Sequence, residues 1–198
     1  VCIIAAIIAV FDGSRIGTSS TRIQKIANAG FVFLLARGYF LTQDGTIFFL
    51  MGMVAFIVTH LINGGLLLRL QSVRFTFATM MGVILALGAI GIVYYWLHDF
   101  LGTFSIPVVL YMFIIGSVLV LAFNVSNNTL YKNIAYTCFI PGMFLFTVSD
   151  SLLALNKFLL HNPTGWDIWI MVTYALAQWL LTEGYISVVN GTREESKP

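Results

Sequence analysis

The sequence predicts an all-α fold, a polytopic transmembrane helix bundle, and three observations carry that expectation. Of its 198 residues, 59% are hydrophobic and only 9% are charged, against about 25% charged in soluble domains; mean hydropathy is +0.94. Apolar stretches of about 20 residues, long enough for a bilayer core, recur along the whole chain. The joints between them are short and rich in turn formers, as in "DGSRIGTSS", "TQDG", "HDFLGT", "NVSNNT" and "HNPTG".

These joints place helices at 1–11 (partial), 26–42, 47–68, 75–97, 105–123, 133–156 and 167–189. The first run, "VCIIAAIIAVF", spans only about 16 Å as a helix, so a preceding segment is expected. "GVILALGAIG" brings Gly82 and Ala86 one turn apart, a spacing that lets helices approach closely. Trp96, Trp166 and Trp169 lie near helix ends, where indoles anchor at the membrane interface. With no long polar stretch, residues 1–198 read as one integral membrane domain, 190–198 being a short polar tail.

Charge excludes several classes of partner. The net charge is +2, and the ten Lys and Arg are dispersed rather than clustered on a nucleic-acid-binding face. Arg15, Arg22, Lys25, Arg69, Arg74, Lys132, Arg193 and Lys197 fall on alternate joints, against Lys157 on the others. That bias puts the tail and the 12–25, 69–74 and 124–132 loops on the cytoplasmic side, or the matrix side in a mitochondrion. The sequons at Asn124, Asn127 and Asn190 would then escape glycosylation. Cys2 and Cys138 sit in apolar runs and read as buried thiols. Three histidines without ligand spacing predict no metal. No phosphate loop, nucleophile elbow or dinucleotide fingerprint appears, so no cofactor is expected.

Polar residues inside the apolar runs point to function. Asp150 stands within "FLFTVSDSLLALNKF", where a carboxylate costs roughly 2.5–3.5 kcal/mol at a bilayer centre. With each helix centred in the membrane, Arg37, Tyr39, Tyr111 and Asp150 come to similar depths, and His60 and Gln178 lie near the midplane. Five helices each supply a hydrogen-bonding group at about mid-depth. Together they describe a shared polar cavity.

Several of these segments together resemble the YhhN-type lysoplasmalogenase family of integral membrane hydrolases. "GMFLFTVSDSLLALNKF" resembles its G-x-L-F-x-x-S-D-x-x-L-A-x-N-[RK]-F motif, and "FLMGMVAFIVTHLI" its G-x-x-A-F-x-x-x-H-L segment. "IPVVLYMFIIGSVLV" is similar to its P-V-x-x-Y-M segment and "VTYALAQWLLTEG" to its Y-x-x-A-Q helix. The resemblance implies a bundle of about eight helices in the intact protein. It also implies hydrolysis of the lysoplasmalogen vinyl ether to a fatty aldehyde and a glycerophospho-headgroup, with a membrane lysophospholipid as partner. Asp150 and His60 would be catalytic; Tyr39, Tyr111, Asn156, Tyr174 and Gln178 would bind substrate.

One motif departs. Where the family has S-L-L-G-D, this chain reads "LARGY", so Tyr39 stands in place of the motif Asp and Arg37 adds a positive charge nearby. Vinyl ether hydration needs an acid to protonate carbon and something to stabilise the resulting oxocarbenium ion, which glycosidases achieve with two carboxyl groups. An Arg37–Asp150 ion pair would instead occupy the acid. The alternative is therefore a catalytically inactive lipid-binding protein or a structural subunit of a membrane protein complex. A small transporter is weaker, because no inverted repeat is visible.

Overall fold

A computed structural model describes residues 46–160 and 165–194. The described residues are helical, with no strand among them. We number the long helices α1 Thr46–Leu70, α2 Phe77–Leu97, α3 Ser105–Val125, α4 Ile140–Phe158 and α5 Trp166–Glu194. The expected helices at 1–11 and 26–42 lie outside the described residues. The chain divides into two compact units, residues 1–65 and 66–198.

Four spans among the described residues are long and apolar enough to cross a membrane: 50–70, 77–97, 102–125 and 132–158. The chain is thus an integral membrane protein. Helix α5 covers the predicted range and is the least apolar of the five.

Helix boundaries follow from local chemistry. Thr76 caps α2, its hydroxyl accepting from Thr79 N–H at 3.3 Å and so satisfying one orphan donor of the first turn. Pro107 lies in the first turn of α3, where its missing N–H costs no hydrogen bond. Pro141 acts differently because helix continues before it. A short turn, Lys132–Ile134, leads into a π-helical stretch, Ala135–Phe139, and α4 follows with Pro141 near its start. Pro141 has no N–H to donate back into the preceding turn, and the wider π spacing absorbs the mismatch.

The second unit packs as adjoining helix pairs: α2 with α3, α3 with α4, and α4 with α5. Small residues set the closeness of these crossings. A Cβ at Gly82 would meet Phe123 Cβ at 2.9 Å, and one at Gly184 would meet Phe139 Cε1 at 2.7 Å. The close contact expected from Gly82 and Ala86 is therefore made, against α3. Against α5, buried Phe139 of the π-helical stretch meets the Tyr185 ring at 5.2 Å, and Ser149 Oγ of α4 donates to the Ile170 carbonyl at 3.1 Å. Apolar side chains are exposed as well, including Ile84, Leu87 and Ile92 on α2 and Leu110 and Phe113 on α3. Such a surface in water would drive association; facing lipid it carries no such penalty.

Three asparagines tie the α1–α2 connection to the end of α3. Asn124, 1% exposed, donates through Nδ2 to the Gln71 and Ser72 carbonyls at 3.2 and 3.1 Å, while its Oδ1 accepts from Arg74 N–H at 2.9 Å. Asn127 accepts from Thr76 Oγ1 at 2.8 Å, and Asn128 donates to the Leu70 carbonyl at 2.9 Å. "NVSNNT" is thus a structural clamp as well as a turn.

Candidate active site

The same periodicity appears on three helices. Ala86, Ala89, Ile90 and Val93 on α2, Val108, Tyr111, Met112 and Ile115 on α3, and Thr147, Asp150, Ser151 and Ala154 on α4 each follow i, i+3, i+4, i+7. That spacing lines up one face of a helix. The three stripes enclose a partly open cavity of about 40 Å³. A water needs roughly 10–15 Å³ on the same measure, so the deep part admits water or a slender chain.

Its polar focus is one pair. Asp150 is 5% exposed, and Tyr111 Oη donates to its Oδ2 at 2.6 Å, at the short end for O–H···O geometry. The neighbouring hydroxyls are occupied within their own helix: Thr147 Oγ1 donates to the Met143 carbonyl at 2.9 Å, and Ser151 Oγ to the Thr147 carbonyl at 2.7 Å. Small side chains at Ala86, Ala89, Gly116 and Ala154 leave the remaining space. The cavity therefore combines an apolar wall with one oriented carboxyl group, an arrangement suited to acid chemistry on a lipid chain.

Asn156 lies further along α4, buried, with Nδ2 donating to Asp167 Oδ1 at 3.4 Å. Tyr174 on α5 packs edge-on against Phe146, with ring centroids 5.5 Å apart. Gln178 presents a buried Nε2 that meets no acceptor among the described residues. His60 belongs to the first unit, where it is fully buried and stacks on Phe56 with centroids 6.1 Å apart. Arg37 and Tyr39 lie outside the described residues, and so does Cys2. Glu183 is exposed on α5 and is not among the cavity-lining residues. Among the described residues no group of three or more His, Cys, Asp or Glu could share a metal ion.

Sequence reasoning missed the small lining residues and the hydroxyl pair Thr147 and Ser151. Their spacing relative to Asp150 is the signal that would have found them. On α2 and α3, apolar all round, spacing alone does not say which face turns inward.

Comparison with known proteins adds the family. No curated protein matches the chain, and no solved structure does. The YhhN family model matches residues 1–185, a range that takes in α1 to α4, the whole cavity lining and the larger part of α5. The chain belongs to the YhhN family.

Proposed function

We propose that the protein hydrolyses the vinyl ether bond of lysoplasmalogens, releasing a fatty aldehyde and a glycerophospho-headgroup, with Asp150 as general acid. The observation that carries this reading is the buried Asp150 carboxyl, held by Tyr111 at 2.6 Å on the wall of an apolar cavity. Family membership supports the substrate class.

The donor set suggests how the proton is directed. Tyr111 Oη donates to Oδ2 and so orients the carboxyl group that delivers the proton. Transfer of that proton to the distal vinyl carbon leaves a carboxylate beside the oxocarbenium ion, and the Tyr111 hydrogen bond stabilises its new charge. Water adds to the cationic carbon and returns a proton to Asp150. The hemiacetal then collapses as its C–O bond to the glycerol oxygen breaks and its hydroxyl proton passes to that oxygen, giving aldehyde and alcohol. One carboxyl group gives a proton and takes one back, so the sum consumes one water and cleaves the ether.

Tyr111 is a positioning residue in this scheme. A hydrogen bond to a charged group contributes about 1.5–3 kcal/mol, so Tyr111→Phe should lower kcat for aldehyde release by about tenfold or more, with KM little changed. An equal change in KM at constant kcat would instead assign Tyr111 to lipid binding.

A second reading has one observation in its favour. Among the described residues Asp150 is the single carboxylate of the cavity lining, where the related glycosidase chemistry uses two. On that reading the protein binds lysolipid without cleaving it, alone or within a membrane complex. Lipid binding without aldehyde release from 1-alkenyl lysophospholipid would select it.

A further inference from the structure

We propose that the end of the bundle formed by the α1–α2 and α3–α4 joints binds the headgroups of anionic membrane phospholipids, through Arg69, Arg74 and Lys132. The proposal stands whether or not the cavity turns over lipid.

The asparagine clamp brings two distant basic stretches to one place. Asn124 holds the Ser72 carbonyl and the Arg74 N–H, and Asn128 donates to the Leu70 carbonyl at 2.9 Å. Arg69 and Arg74 on one side of the clamp and Lys132 on the other therefore share one end of the bundle. All three side chains are exposed. No Asp or Glu occurs within 66–81 or 118–137, so neither stretch supplies a carboxylate to neutralise them. Positive charges fixed together in this way attract anions.

The same joints turn apolar side chains outward. Arg74 stands between Val73, 53% exposed, and Phe75, 94% exposed, and Leu130 in the other joint is 51% exposed. The hydrogen bonds to Asn124 hold the backbone around Arg74 in this form. Apolar side chains flanking a guanidinium suit the boundary between acyl chains and headgroups, the ring entering the first while the cation stays level with phosphate. A zwitterionic headgroup also offers a phosphate, but it brings a cation of its own to face three positive charges. An anionic headgroup brings none, and that difference sets the preference. The charge bias of the joints favours the cytoplasmic leaflet for this end, where anionic lipid is concentrated.

The test uses the full chain in neutral detergent, titrated with short-chain phosphatidylglycerol or phosphatidylcholine. Thermal unfolding reports binding, since a ligand of the folded state raises the midpoint. Each Lys or Arg near an anionic surface contributes up to about fivefold in affinity, so three should favour phosphatidylglycerol by about 30-fold or more. Arg74→Gln should lower that preference by about fivefold, whereas Arg74→Lys should keep most of it. Replacing Arg69, Arg74 and Lys132 together by Gln should bring the two lipids to within about twofold. The lipid-free midpoint should stay at the wild-type value, because these side chains are exposed. Salt at about 1 M, where charges are screened within about 3 Å, should remove the preference of the wild type. Equal binding of the two lipids by the wild type overturns the proposal, as does a preference that the triple variant retains. If the triple variant fails to fold, an undiminished preference in Arg74→Gln overturns it instead. Inorganic phosphate that raises the midpoint as much as phosphatidylglycerol at equal concentration also overturns it, in favour of a soluble anion.

Discussion

Asp150→Asn should lower aldehyde release from 1-alkenyl lysophospholipid by about 10²–10⁴-fold, the usual contribution of a general acid. The amide keeps the size of the carboxyl, and its carbonyl oxygen can still accept from Tyr111 Oη. What disappears is the proton destined for the vinyl carbon. The variant should therefore retain both its fold and its affinity for a saturated ether analogue. The purified variant would be compared with wild type for turnover, analogue binding and thermal unfolding. Retention of most of the turnover would remove Asp150 from the acid role. Loss of turnover together with loss of the folded state would mark it as structural.

The largest expected effect on stability lies elsewhere, at Asn124. Truncation to Ala deprives the Gln71 and Ser72 carbonyls and the Arg74 N–H of their side-chain partner at a buried position. A buried backbone group left without a partner costs about 1–3 kcal/mol; the Gln71 contact is buried, whereas solvent reaches the Ser72 and Arg74 contacts and recovers part of their loss. The net loss should be about 2–4 kcal/mol, a fall in midpoint of roughly 5–15 °C for a chain of this size. Asn127→Ala, which removes hydrogen bonds to the Thr76 and Thr79 side chains at a half-buried site, should cost less. Thermal unfolding in detergent ranks the two. An Asn124→Ala midpoint no lower than that of Asn127→Ala would contradict the clamp.

Why Asn124 escapes a reading of the sequence is instructive. It sits in an N-x-S sequon within a polar joint, and nothing local says that its amide turns inward to hold a loop fifty residues away. Helix existence was legible because bilayer thickness imposes length and apolarity on every span. The ranges 75–97 and 105–123 differ from the observed helices by two residues at one end. The π-helical stretch before Pro141 was not legible, since "AYTCFIPG" keeps the apolar pattern of an uninterrupted helix. At the site, depth alone brought Tyr111 and Asp150 to one level, and the structure joins them. Depth carries no azimuth. Asn156 and Tyr174 came from the family resemblance and not from depth; in the structure Asn156 donates to Asp167 and Tyr174 packs against Phe146.

The most direct test of the account is hydrolysis of 1-alkenyl lysophospholipid by the wild-type protein in heavy water. Acid transfer to carbon puts the solvent-derived hydron on the carbon next to the new carbonyl. The released fatty aldehyde should carry one deuterium there, measured by mass spectrometry at early times, and Asp150→Asn should release almost none. Wild-type protein that binds the lysolipid yet releases no aldehyde, or releases it without deuterium at that carbon, would contradict Asp150 as the general acid of a vinyl ether hydrolase.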